Sequence, residues 1–133
     1  RKIKRDSAIK IIKHHKDVFI KMAIIALFPE DKQNQFQHYI GKYTEEAKSF
    51  KAEGIIAAIR GMKNRKDRTS VLTSFKGNKL MISGIEDPLI PFSNSEKISI
   101  ESQTKLFKVG TGHMSINENI DEIVTIMHLI GYL

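Results

Sequence analysis

The sequence contains no cysteine and no long apolar run. Without cysteine, this 133-residue chain has no disulfide, no thiolate metal ligand and no cysteine nucleophile, a composition that suits either redox compartment. Its apolar stretches fall short of the roughly 18 to 20 residues of a membrane span. It also lacks a glycine-rich phosphate loop. These absences argue against a disulfide scaffold, a thiol enzyme, a membrane-spanning helix and a phosphate-loop nucleotide site in this chain.

The histidines do not form a metal-ligand pattern. His14 and His15 are adjacent and would point to different sides of a helix. His38 and His128 have no carboxylate at ligand spacing. A metal site needs several ligands that converge on one point. The sequence therefore predicts no metal site and no cofactor.

The overall composition is that of a folded globular protein. Hydrophobic residues make up 41% of the chain and charged residues 28%, which is close to the average for globular domains. A chain of this size can bury roughly two-thirds of the surface that it exposes when unfolded. The length therefore corresponds to about one domain with a core of its own.

The net charge of +7 is concentrated in the first half of the chain. Residues 1–68 hold 17 Lys and Arg against 8 Asp and Glu, whereas residues 69–133 hold 5 against 7. Many of the early lysines recur on the polar side of an apolar stripe, which favours solvated helix faces. Binding of nucleic acid or of an anionic membrane is a weaker alternative that predicts strong salt dependence. Since no aromatic interleaving or known motif accompanies the charge, we expect no nucleic-acid partner.

The first half of the chain has helical patterns only. Apolar residues recur at spacings of three and four, which predicts amphipathic helices over residues 6–15, 17–27, 30–40, 44–50 and 53–65. Pro29 marks the turn after the second helix, and Gly41 is predicted to break the pattern between the third and the fourth. Short successive helices without strands are typical of a helical cap.

The second half predicts two buried strands joined by a helix. Short apolar runs at residues 79–83 and 104–109 flank a helical stretch at 93–102, and a final amphipathic helix covers 119–129. Strands joined by a helical crossover are parallel, and parallel strands normally lie inside larger sheets. Two strands alone would leave both sheet edges open. We therefore expect further strands to come from a missing segment or from a second copy.

An ionisable residue follows each predicted strand. Asp87 follows the first strand and His113 the second. Because ligands gather beyond the carboxyl ends of parallel strands, the two side chains are expected to meet there. A histidine with an ordinary pKa near 6.5 can accept and release a proton near neutrality, and a carboxylate can fix its tautomer. Glu86 is a rival acid, but alternation after the strand favours Asp87.

Each of these residues also has a simpler interpretation. Asp87 precedes Pro88 and could be a turn residue, and His113 lies in a glycine-rich turn before the last helix. Taken singly, these interpretations are the stronger ones. The acid–base pair is favoured over them only by the family resemblance described next, in which Gly84, Pro91, Gly110 and Gly112 also fall at matching positions.

The two segments also resemble a known family. The sequence Gly-Ile-Glu-Asp-Pro-Leu-Ile-Pro that begins at Gly84, the Gly-Thr-Gly-His that begins at Gly110, the acidic Glu118 and the apolar C-terminal helix resemble the last third of an α/β-hydrolase. Residues 54–68 resemble the helix that returns from the cap to the core. The resemblance covers the whole chain, most clearly from residue 54.

The resemblance implies an α/β fold: the C-terminal portion of a hydrolase sheet, with two parallel strands and flanking helices. It implies a cap segment over residues 1–52 and half of the core over 53–133. Asp87 would be the acid and His113 the base of a triad acting on a small-molecule ester or related carbonyl. Met22, Phe28 and Met114 would line the substrate pocket, although ordinary packing is favoured for either of the first two taken alone.

The nucleophile of such a triad is absent from the sequence. No Gly-x-Ser-x-Gly or equivalent elbow occurs, and the first residue is Arg rather than Met. We therefore expect the C-terminal half of a longer polypeptide, inactive alone, whose other half supplies the nucleophile. The alternative is a non-catalytic fragment or interaction module that completes its sheet with a partner or a second copy. No signal peptide is visible and a cytoplasmic location is expected, with a leader upstream of Arg1 left open.

Overall fold

This computed structural model describes residues 2–131, which form seven α-helices and two strands. A short 3₁₀ turn, Glu30–Lys32, lies between the first two helices. No helix among the described residues is both long enough and apolar enough to cross a membrane. In chain order, the elements are α1 (Lys2–Ile25), α2 (Gln37–Lys48), α3 (Ala52–Asn64), α4 (Thr69–Ser74), β1 (Leu80–Gly84), α5 (Phe92–Ser102), β2 (Lys105–Val109), α6 (Ser115–Glu118) and α7 (Ile120–Leu129).

The elements fall into two compact units. The helical unit contains the chain up to Ile25 together with Gln37–Lys66. The strand unit contains Ala26–Phe36 and the chain from Asp67 onward. The division into a cap and a core, expected at residues 52 and 53, concerns functional roles rather than contacts and stays a prediction.

The first helix of the helical unit has a break in the middle. Residue His15 has non-helical backbone angles, φ −141° and ψ 53°, inside α1. The break falls at the boundary between the two helices expected at 6–15 and 17–27. The pair of helices is thus confirmed, with an earlier start at Lys2.

The break expected at Gly41 is wrong. Helix α2 runs without interruption through Gly41, whose Cα faces open space. A glycine inside a helix costs about 1 kcal/mol relative to alanine, which tertiary packing readily offsets. The start at Gln37 also shows that residues 33–36 form turns rather than helix.

The core of the helical unit lies between α1 and α3. Ile12, Ile56 and Ile59 are buried against one another at this contact. At its edge, the Lys63 Nζ lies 2.6 Å from an Asp6 carboxylate oxygen. Ile56 and Ile59 of the apolar stripe predicted for α3 are therefore on its buried face, whereas Met62 of the same stripe is 47% exposed.

The strand unit is built on a two-stranded parallel sheet. β1 pairs with β2 in a register that runs from Leu80 opposite Lys105 to Gly84 opposite Val109. α5 makes the crossover between them, as a parallel connection requires. Val109 at the end of β2 is 1% exposed. The predicted parallel pair with a helical crossover is confirmed, and it brings the carboxyl ends of both strands to one edge.

The final helix is confirmed and a short helix before it is new. α7 covers Ile120–Leu129, and the Asn119 side chain caps it by accepting a hydrogen bond from the Glu122 amide at 3.2 Å. The four-residue α6 precedes this cap. Its four residues span about one helical turn, too few to show a helical period in the sequence.

Candidate functional site

Asp87 and His113 meet beyond the ends of the two strands. The His113 Nδ1 lies 2.8 Å from the Asp87 Oδ2. The Asp87 side chain is 10% exposed and that of His113 is 31% exposed. Among the described residues, the His113 Nε2 has no hydrogen-bond partner. The pair therefore presents one imidazole nitrogen to a carboxylate that is largely shielded from solvent and leaves the other available to a substrate or a nucleophile.

The other oxygen of Asp87 holds a turn. Its Oδ1 accepts hydrogen bonds from the backbone amides of Leu89, at 2.8 Å, and Ile90, at 2.9 Å. A short acidic side chain that bonds the backbone two and three residues ahead is the usual signal of such a turn. Asp87 is thus a turn residue and the partner of His113 at once, and the turn fixes the direction of Oδ2.

Backbone hydrogen bonds continue past the strands and bring the two loops together. The amide of Ile85 donates to the carbonyl of Val109 and that of Glu86 to the carbonyl of Thr111, both at 3.0 Å. These bonds follow the last strand pair, Gly84 with Val109. The two loops are therefore aligned by the backbone before either side chain contributes.

The loop that carries His113 is held by Glu118. One Glu118 carboxylate oxygen, Oε2, accepts from the amide of Gly112 at 2.7 Å, and the other, Oε1, accepts from the amide of Met114 at 3.0 Å. Hydrogen bonds between an ionised acceptor and backbone amides are stronger than neutral ones. The carboxylate therefore bridges the residues on either side of the histidine.

A segment from before α2 supports both loops. Pro29 is buried and packs on Gly112, where an added Cβ would lie 2.7 Å from the Pro29 Cδ. The Lys32 Nζ forms an ion pair with Glu86. Hydrogen bonding to Glu86 is the main cause that raises the pKa of Lys32. The rival acid Glu86 thus pairs with a lysine, whereas Asp87 contacts the histidine.

The three residues predicted to line the substrate pocket have different surroundings. Met114 follows His113 directly and is half-buried. Phe28 is 1% exposed and stacks on Phe36 with ring centroids 5.5 Å apart. Met22 lies in the helical unit and is 61% exposed. Their pocket roles stay predictions.

The described residues contain no group of three His, Asp or Glu side chains that could hold a metal ion. The adjacent His14 and His15 have ring centroids 6.5 Å apart and tilted planes. The hydrogen bond between His113 and Asp87 is a geometry suited to proton transfer.

Three supporting residues had no predicted role. From the sequence, Glu118 is part of the family resemblance, Pro29 marks a turn, and Lys32 carries no signal of a role. Lys32 and Glu86 are 54 positions apart, and a single sequence gives no signal for such a contact. For Glu118, a carboxylate five residues after a loop histidine is a signal that could have been used.

Comparison with known proteins identifies the fold. The chain is similar to an esterase from Exiguobacterium antarcticum, with a TM-score of 0.80 and 15% identity over 98% of this chain and 48% of that one. It is also similar to a thermophilic esterase from Thermogutta terrifontis, solved with malate bound, with a TM-score of 0.81 and 21% identity over 97% of this chain and 48% of that one. No family model matches the sequence, and no curated protein matches it.

The predicted resemblance and the predicted fold class are confirmed. At these identities the likeness establishes the fold, which is that of an α/β portion of a bacterial esterase. The chain spans about half the length of the two esterases.

Proposed function

We propose that this chain supplies the acid and the base of a carboxylic-ester hydrolase whose nucleophile lies outside this sequence. The observation that carries the proposal is the 2.8 Å hydrogen bond between the His113 Nδ1 and the Asp87 Oδ2, at the carboxyl ends of two parallel strands. That edge of an α/β sheet is where such chemistry is usually placed.

The pair would act on a serine-type nucleophile in two stages. The His113 Nε2 takes the proton of the nucleophile as its oxygen attacks the ester carbonyl carbon. Asp87 accepts the Nδ1 proton in a hydrogen bond and stabilises the positive imidazolium. When the carbon–oxygen bond to the alcohol breaks, Nε2 returns the proton to the departing alcohol. Water then repeats the cycle and releases the acid.

The second half of the site belongs to another segment. The sequence has no nucleophile elbow, and the esterases with this fold are about twice as long. We propose that a missing N-terminal half, or a second polypeptide, adds strands to the sheet and brings the nucleophile and the oxyanion donors. By itself, the chain is expected to be inactive.

The substrate is proposed to be a small ester or a related carbonyl compound. Met114 beside the base, together with Phe28, would form apolar parts of its pocket. A cytoplasmic location likewise remains a prediction.

The test combines covalent labelling with a mass measurement of the natural polypeptide that contains this chain. A fluorophosphonate probe, which marks activated serines, is applied before denatured mass spectrometry, and hydrolysis of a p-nitrophenyl ester is measured beside it. A chain heavier than 15.2 kDa that gains one adduct and hydrolyses the ester supports the proposal. Turnover and labelling should disappear in His113→Ala and persist in His38→Ala, an exposed histidine of the helical unit.

Two results would overturn the proposal. One is ester hydrolysis that persists in His113→Ala. The other is a 15.2 kDa chain that shows neither labelling nor turnover, which would favour the non-catalytic interaction module.

A further inference from the structure

The peptide groups on both sides of His113 are bound by a single carboxylate. Glu118 accepts from the amide of Gly112 through one oxygen and from that of Met114 through the other. We propose that Glu118 is a positioning residue, whose carboxylate sets the direction in which His113 presents its imidazole to Asp87. This inference rests on the proposed function, because it assigns a role to a residue of the same site.

The two hydrogen bonds restrict the backbone at the histidine itself. The Gly112 amide precedes His113 and the Met114 amide follows it, so fixing both holds the Cα–Cβ bond of His113 in one direction. Only two side-chain torsions then separate that bond from Nδ1. Small errors of placement in a catalytic group cost large factors in rate, so a clamp on the backbone has an effect on catalysis.

The surroundings of Gly112 fit this role. A Cβ at that position would lie 2.9 Å from the Glu118 Oε1 and 2.7 Å from the Pro29 Cδ. Glycine at 112 therefore makes room for the carboxylate to reach the amides. The Glu118 backbone amide also donates to the Met114 carbonyl at 3.0 Å. Glu118 is therefore tied through its backbone as well as its side chain to the loop that carries His113.

The charge of Glu118 also acts on Lys32, in the segment before α2. The negative charges of Glu86, Asp31 and Glu118 all contribute to raising the pKa of Lys32, after its hydrogen bond to Glu86. Lys32 is thus affected by the negative charges of both Glu118 and Glu86, the residue before Asp87. The ionised carboxylate is the form that can accept two amide hydrogen bonds at once.

In Glu118→Gln, one of the two hydrogen bonds to the amides of Gly112 and Met114 would be lost. The glutamine carbonyl oxygen accepts from one amide, but its NH₂ group is a donor and faces the other amide N–H. Glu118→Gln therefore keeps the size of the side chain and removes one of the two restraints. Glu122→Gln is the matched control, because Glu122 also accepts from a glycine amide of this loop, that of Gly110 at 3.2 Å.

The experiment has one readout that does not require activity. In proton NMR of the purified protein, the Nδ1 proton shared with Asp87 should give a resonance far downfield, identified by its loss in Asp87→Asn. In Glu118→Gln we expect this resonance to broaden or move upfield, and in Glu122→Gln we expect it to stay unchanged. In the natural polypeptide, Glu118→Gln should lower kcat at least tenfold and leave KM unchanged.

An unchanged resonance and an unchanged kcat in Glu118→Gln would overturn the positioning role. If that variant does not keep the native circular dichroism, Glu118→Asp replaces it, since it retains the charge but is too short to reach both amides. A resonance that responds to Glu118 in a protein without esterase activity would refute the proposed function alone. Activity that depends on His113 but not on Glu118 would refute the positioning role alone.

Discussion

Gly84 lies directly against the backbone of Thr111, so closely that an added β-carbon would be 2.3 Å from the Thr111 carbonyl oxygen. The same β-carbon would lie 2.4 Å from the carbonyl oxygen of Gly112. Gly84 ends β1, three residues before Asp87, and Gly112 precedes His113. The absence of a side chain at 84 is therefore what allows the acid loop and the histidine loop to approach each other.

Replacing Gly84 by alanine should destabilise the protein and move Asp87 away from His113. The atoms that a methyl group would meet belong to backbone, which cannot rotate away. Overpacking of this kind typically costs about 1 to 3 kcal/mol, and urea denaturation of Gly84→Ala should show a loss of at least that size. Gly110→Ala is the control, because nothing lies within 4 Å of a β-carbon at 110. Equal stability of the two variants would contradict this account of the contact.

Removing the acid and removing the base should have different effects on turnover. In the proposed intact esterase, His113→Ala should abolish nearly all ester hydrolysis because no group remains to take the proton of the nucleophile. Asp87→Asn should lower kcat by about four orders of magnitude, because an amide can present its NH₂ group to Nδ1 and stabilise the wrong tautomer. Steady-state kinetics with a p-nitrophenyl ester measure both. Near-normal turnover in either variant, with native circular dichroism, would remove that residue from the site.

Phe28 should contribute strongly to the free energy of unfolding. Its ring is 1% exposed and stacks on Phe36, so Phe28→Ala should cost about 3 to 5 kcal/mol of unfolding free energy. Phe50→Ala is the comparison, because Phe50 is 59% exposed and its loss should change stability little. Chemical denaturation measures the free energy of unfolding of both variants. A small effect at Phe28 would instead favour the predicted role in lining substrate space.

The Lys32–Glu86 pair should stabilise the protein at neutral pH and lose its effect in alkali. The pKa of Lys32 is raised in the folded state, chiefly by its hydrogen bond to Glu86. A group with a raised folded pKa contributes stability that is complete below its unfolded pKa of 10.5 and disappears as the pH rises through the folded value. Partly exposed pairs contribute under about 1 kcal/mol.

Urea denaturation at several pH values measures this contribution. Lys32→Met should be less stable than the unmodified protein at pH 7, and the difference should shrink once the pH exceeds 10.5. Lys76→Met is the control, since Lys76 is exposed and makes no ion pair among residues 2–131. A difference that stays constant with pH would show that the lysine stabilises by packing rather than by charge.

The elements of the strand unit were largely predictable from local patterns. Apolar runs too short for a helix marked both strands, and the helical spacing between them required a parallel crossover. Each strand ended before an ionisable residue, so the meeting of Asp87 and His113 followed from the direction of the strands.

In the helical unit, the break expected at Gly41 is wrong because local propensity is weak, and the packing of a helix outweighs one glycine.

The sequence by itself determined most of the longer helices, the parallel strand pair and the two residues that meet at its end, because these depend on periodicity and on residues close in the chain. Only the tertiary structure decided how that pair is held. Glu118 binds the amides that flank His113, Lys32 takes the rival acid Glu86, and Pro29 packs on Gly112. Lys32 and Pro29 act across more than fifty positions of the chain, where a single sequence carries no periodic signal and only the folded backbone sets the distance.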